Sequence, residues 1–155
     1  MQIENVFSQK KVAEIELSYT PHLKPSELPK VQDSEYAYSL FLHTWDKNKL
    51  EFIEQFRAVF LTRANRVLGI CTLSTGGTNS TVIDIKVLFA AAIKSNASAM
   101  IIAHNHPSGN LQASESDIIL TKRIDEVGQL LGIILLDHLI ITADGYFSLK
   151  DQGAF

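Results

Sequence analysis

The 155-residue chain has a single cysteine, Cys71, and so can form no internal disulfide. A lone thiol fits a reducing compartment, and the expected location is the cytoplasm. An excess of basic charge is also missing. Fourteen lysines and arginines stand against seventeen acidic groups, for a formal net charge of -3 and a pI near 5.9. No strong positive field gathers phosphates, which counts against a nucleic-acid-binding module. No apolar run approaches the roughly 18 residues of a membrane-spanning helix, and the basic-then-apolar pattern of a secretory leader does not occur at Met1. Proline is scarce, and three of the four fall in PHLKPSELP at 21–29. That stretch reads as a linker.

What is present is an ordinary globular composition, 46% hydrophobic and 20% charged, enough for one core and one domain over 1–155. Residues 1–48 read as a strand in VAEIELSYTP, the linker, and an amphipathic helix from Val31 with Tyr36, Leu40 and Trp45 inward, capped near Asp33 or Ser34. This segment is expected to pack on a core at 50–155. There, Glu54–Leu61 and Arg66–Ser74 read as strands about a turn at 62–65, Asp84 caps a helix to about Ser95, and the strand Ala97–Ala103 follows. Beyond it come a helix, the buried strand IILLDHLIIT, a turn at Asp144-Gly145 and a short strand YFSL. Helices interleaved with strands, hairpins included, predict an α/β (α+β) protein with a mixed sheet.

The chemistry concentrates in AHNHPSGNLQASESD, Ala103 to Asp117. On an extended backbone His104 and His106 point to the same side. Pro107 and Gly109 then end the strand. Ser114 and Asp117 have the spacing of a helix cap and its reciprocal acid, ahead of IILTKRIDEVGQLL. Two imidazoles and a carboxylate suit zinc, and three protein ligands with one open position describe a catalytic rather than a structural site. The capping box accounts for Ser114 and Asp117 without any metal. Asn105 points away from the ligands and braces the loop. Asp137-His138 reads as a satisfied core pair with only one member inward, or His138 as support for a ligand. Cys71 reads as a small buried side chain.

HNHPSG followed by LQASESD resembles the JAMM signature of the MPN-plus (Jab domain) metalloproteases and, more closely, the bacterial RadC family. GGTNSTV at 76–82, DIKVLFAAAIKSNASA, Thr121, LLDHLII and YFSL resemble RadC features in the same order, so the likeness runs from about Leu50 to Phe155. It implies a cytidine-deaminase-like Jab fold, a central mixed β-sheet flanked by helices, with the metal at strand ends on the sheet's edge beneath the Asp117 helix. Deaminase chemistry itself needs His-x-Glu and Pro-Cys-x-x-Cys, and the chain has neither. The resemblance implies one Zn2+ held by His104, His106 and Asp117, with Glu54 as general base and acid and Ser114 as an oxyanion donor. Glu51 competes with Glu54 for the base and is expected to face water.

The implied activity is amide hydrolysis of a peptide or protein substrate, as in a peptidase or isopeptidase. The alternatives are a DNA repair factor, the historical RadC attribution, and a zinc-stabilised interaction module without turnover. Full-length RadC proteins usually carry a helix-hairpin-helix module ahead of the Jab domain, and nothing in this sequence resembles it. No membrane partner is expected. A homodimer is allowed, through an exposed apolar sheet edge.

Overall fold

The computed structural model describes residues 12–13, 15–16, 20–77 and 82–155. After a 3-10 turn at Pro25–Glu27 the elements are α1 (Ser34–Thr44), the single turn α2 (Lys47–Leu50), β1 (Gln55–Leu61), β2 (Val67–Thr75), α3 (Ile85–Lys94), β3 (Ala99–Asn105), α4 (Glu115–Leu131), β4 (Ile134–Ile141) and β5 (Tyr146–Ser148). One sheet holds the strands in the order β2-β1-β3-β4-β5. β1 is antiparallel to β2 and β3, and β4 is antiparallel to β5. Only β3 and β4 are parallel. A parallel pair needs a long crossover, and α4 supplies it. The sheet is thus the mixed one expected from the sequence.

β1 and β3 are buried along their whole length, because helices cover both faces of the sheet. Alternation divides their side chains between two cores. Val59, Leu61, Ile101 and Ala103 pack with Ala37, Phe41 and Trp45 of the α1 region. Phe56, Ala58, Phe60, Met100 and Ile102 pack with Leu88 and Phe89 of α3 and Ile124 of α4. The face of α1 that turns inward therefore follows Ala37, Phe41 and Trp45, at four-residue spacing. Tyr36, expected inward, is 38% exposed; a shift of one residue rotates a helix by about 100°. Asp33 caps α1 by accepting from Tyr36 N at 2.7 Å.

One irregularity matters for the site. Between Met100↔Leu135 and Ile101↔Asp137 the β3–β4 register slips by one residue, so β4 carries an extra residue, Leu136. Such a bulge exchanges the faces of everything beyond it. Through it His138 pairs with Ile102 and shares the face of His104, while Asp137 turns toward Ser148 and Lys150.

Other expectations need adjustment. The N-terminal strand falls partly on residues outside the description, and Val12, Ala13, Ile15, Glu16 and Thr20 are exposed and belong to no strand. Their alternation is imperfect and no sheet edge receives them. The loop at 76–82 also lies partly outside the described residues. The proline-rich stretch is docked at its end: Val67 N donates to Pro29 O and Val31 N to Asn65 O, with Lys30 bridging Arg66 beside β2. Cys71 lies on the outer strand β2 and is only half-buried. No helix among the described residues is long and apolar enough to cross a membrane.

Gly128, inside α4, is where the crossover packs closest. A Cβ there would stand 2.3 Å from the Ile133 carbonyl oxygen, and Gly128 O itself accepts from Ile133 N at 2.9 Å. Replacing a helical glycine by alanine ordinarily gains about 1 kcal/mol. Here the added methyl meets backbone that cannot swing aside. Gly128→Ala should therefore lose about 1–3 kcal/mol of stability in urea denaturation, and a gain would show that this turn is slack.

Candidate metal centre

The two histidines arrive together because β3 stays extended through Asn105. His104 and His106 face the same side, with their Nε2 atoms 2.9 Å apart. His104 is buried and His106 half-buried. Beyond the strand, Gly109 takes φ +81°, a conformation in which glycine escapes the Cβ penalty, and donates to His106 O. The reversal brings Asn110 O to 2.6 Å from His106 Nδ1.

Asp117 comes from the first turn of α4. Ser114 Oγ accepts from Asp117 N at 3.1 Å and Asp117 Oδ2 accepts from Ser114 N at 2.8 Å, a capping box. The box consumes only one carboxylate oxygen. Asp117 Oδ1 lies 3.4 Å from His104 Nε2, so the cap and the cluster coexist. Burial alone would raise the Asp117 pKa; His104, when its Nε2 carries a proton, and the Ser114 hydrogen bonds outweigh it and hold the group well below the usual carboxylate range.

One donor atom from each of His104, His106 and Asp117 lies within 4.8 Å of the others. A carbonyl only accepts, so His106 Nδ1 must donate to Asn110 O, and in the neutral form its Nε2 carries a bare lone pair. The same bareness holds for Asp117 Oδ1. Ligands about 2.0–2.1 Å from a tetrahedral zinc-sized ion stand about 3.3 Å apart. Two of the three spacings, 2.9 Å and 3.4 Å, bracket that value, and the third is no longer than 4.8 Å. The donor set thus fits a divalent ion. The cluster lies at the end of β3, the central strand of the sheet, and not on an edge strand. β1 and β4 flank β3 on both sides.

Beneath the pair lies a buried chain that sequence reading resolved only in part. His104 Nδ1 is 2.8 Å from His138 Nε2, His138 Nδ1 is 2.6 Å from Thr121 Oγ1, and Thr121 Oγ1 donates to Asp117 O at 2.6 Å. His138 is the satisfied polar group anticipated, and what satisfies it is a member of the cluster. Burial first, then the neighbouring His104, hold its pKa well below the ordinary histidine value. Phe56 stacks on His104, centroids 5.9 Å apart and planes 4° from parallel, and its edge meets His138 at 5.5 Å. Nothing in the spacing of Phe56, Thr121 and His138 announces that tertiary pairing brings them together.

Glu54 lies immediately before β1, half-buried. Its N–H donates to Gly77 O and its carbonyl accepts from Gly76 N. Phe56 pairs with His104, and the alternation of β1 continued two residues back, beyond the strand's start at Gln55, would bring Glu54 opposite His106. Glu51 is exposed at the end of α2. Asn105 points to the opposite face, as expected from alternation, and holds this approach in place. Its Oδ1 accepts from Gln55 N at 2.7 Å, and its Nδ2 donates to Leu50 O and Ile53 O at 2.7 Å and 2.9 Å. Ser114 is exposed, with Ser116 Oγ 2.9 Å from its hydroxyl.

The family model for the RadC-like JAB domain matches residues 31–154. The chain belongs to the RadC-like JAB domain family. The five-stranded mixed sheet with flanking helices is consistent with a JAB/MPN fold. Relatives include a UPF0758 protein of Flavobacterium johnsoniae, 40% identical over 102 residues, covering 66% of this chain and 44% of that protein. One from Desulfitobacterium hafniense is 46% identical over 100 residues, 64% of this chain and 44% of that protein. One from Listeria welshimeri is 39% identical over 104 residues, 67% and 46%. The chain spans less than half the length of these curated relatives, and the name they share states no activity.

In this JAB domain Asn105 couples the histidine strand to the segment bearing Glu54. Its side chain is fully buried, so removing it strands one main-chain donor and two carbonyls. Asn105→Ala should cost about 2–4 kcal/mol in chemical denaturation. A loss under about 0.5 kcal/mol, the range of surface substitutions, would mean that this bracing is dispensable.

Proposed function

We propose that the chain is a zinc-dependent amide hydrolase of the JAMM type, acting on peptide or isopeptide bonds of a protein substrate. The observation that carries this reading is the convergence of two imidazole lone pairs and a carboxylate oxygen, with His106 and Asp117 half-buried and Ser114 exposed, so that a reacting group can approach. A zinc ion held by His104, His106 and Asp117 would polarise a carbonyl and lower the pKa of its water to about 7.

The remaining work falls to the chain. Glu54, just ahead of the strand that pairs with the histidine strand, takes the proton of the attacking water on its carboxylate and later delivers it to the leaving amine. Ser114 Oγ accepts from Asp117 N and keeps its own hydrogen, which it can turn from Ser116 to a developing oxyanion. Such a donor is worth about 2.7–4 kcal/mol of barrier in another hydrolase. The acidic net charge of the chain favours this reading over nucleic-acid binding.

Zinc at about 100 times its Kd should stabilise the fold by about 2.7 kcal/mol, a rise in Tm of about 5–10 °C for a chain of this size. Chelation or His106→Ala should abolish the rise. Glu54→Gln should lower amide hydrolysis about 100- to 10,000-fold while zinc uptake, read by mass spectrometry, stays stoichiometric. Zinc-loaded protein that cleaves nothing in broad peptide and isopeptide panels, with no difference on Glu54→Gln, would end the hydrolase reading.

A further inference from the structure

We propose that Thr121 and His138 act as a positioning pair that sets the tautomer of His104 and thereby the affinity of the site for a divalent metal ion. The inference rests on the metal-centre reading above and assigns a role to residues outside the ligand set.

A neutral imidazole has one ring proton, and only the bare nitrogen can bind a metal. With its proton on Nε2, His104 would donate across the 2.9 Å to His106 Nε2, giving a closed pair with no lone pair for an ion. With its proton on Nδ1, Nε2 is bare. The choice lies with the partner of Nδ1, which is His138 Nε2. His138 could itself carry its proton on either nitrogen, so the question passes to Thr121.

Thr121 has a single hydroxyl hydrogen, and Asp117 O, one helical turn back, can only accept it. Donating there, Thr121 Oγ1 must accept from His138 Nδ1–H at 2.6 Å. His138 Nε2 is then bare and accepts from His104 Nδ1–H at 2.8 Å, which leaves His104 Nε2 unprotonated toward His106 and Asp117. The chain begins at the main-chain carbonyl of Asp117 and returns to the carboxylate of the same residue.

Burial gives the chain its force. His104 is 1% exposed and His138 and Thr121 are 0%, so bulk water does not compete for their hydrogen bonds. His106, half-buried beyond the strand, finds a loop carbonyl, Asn110 O. His104 lies inside the sheet, where β1 and β4 occupy the neighbouring main chain on both sides. A side-chain relay to the carbonyl of a helix's first turn takes the place of a direct carbonyl partner.

The test uses the full chain, zinc titrated by calorimetry, and long-range nitrogen–proton spectra of the histidine rings. In the zinc-free wild type, His104 should carry its proton on Nδ1. Thr121→Val should redistribute that proton and, like His138→Phe, weaken zinc binding about 10- to 100-fold. Thr121→Ser restores the hydroxyl and His138→Gln restores an acceptor toward His104, so both should bind within about 3-fold of wild type, a rescue well inside that loss. Should His138→Phe fail to fold, the near-isosteric Thr121→Val and the wild-type spectrum still decide. Wild-type affinity in Thr121→Val, or a wild-type His104 protonated on Nε2, overturns the proposal. Zinc uptake that obeys these rules in a protein cleaving no amide overturns only the hydrolase reading; a wild type that takes up no zinc overturns both.

Discussion

Two imidazole nitrogens and a carboxylate oxygen are held within 4.8 Å of one another, an arrangement that a cation or a shared proton must make favourable. The rest of the structure is built to withstand it. β3 cannot yield, because it is hydrogen-bonded on both sides and covered on both faces. The His104 ring packs beside Phe56, which lies nearly parallel to it. Asp117 cannot retreat, because its second oxygen is engaged in the cap of α4. Electrostatic discomfort at one point is offset by packing distributed over the whole sheet.

The three consecutive residues His104, Asn105 and His106 show how a strand divides labour. The odd-numbered position, inside the α1-side core, grips the segment leading into β1 through three hydrogen bonds. The even-numbered positions lie on the α4 side and form the candidate site with Asp117. One strand end therefore fixes both the histidine pair and, through Asn105, the segment 50–55.

Much of this could be read in advance, for local reasons. The caps at Asp33, Asp84 and Ser114 are short-range hydrogen bonds whose donors and acceptors lie two or three residues apart, and the His-x-His strand follows from alternation. The inward face of α1 was harder. Tyr36 and Ala37 both lie on apolar sides of that helix, and only the position of the sheet decides between them. The centrality of β3 was hidden too, because strand order depends on the crossover direction and not on any one segment. The Thr121–His138 relay joins α4 to β4 and then to β3, and its members make no sense until the three are assembled.

The extra residue in β4 has a further consequence. If Leu136 were paired with Ile101 instead of bulged, the acid at 137 would pair with Ile102 and rise under His104 in place of the imidazole at 138. A carboxylate would then stand where an imidazole now stands, adding negative charge beneath His104. Which side chain lies beneath His104 is thus set by parity along a neighbouring strand, and the bulge at Leu136 is what selects the imidazole.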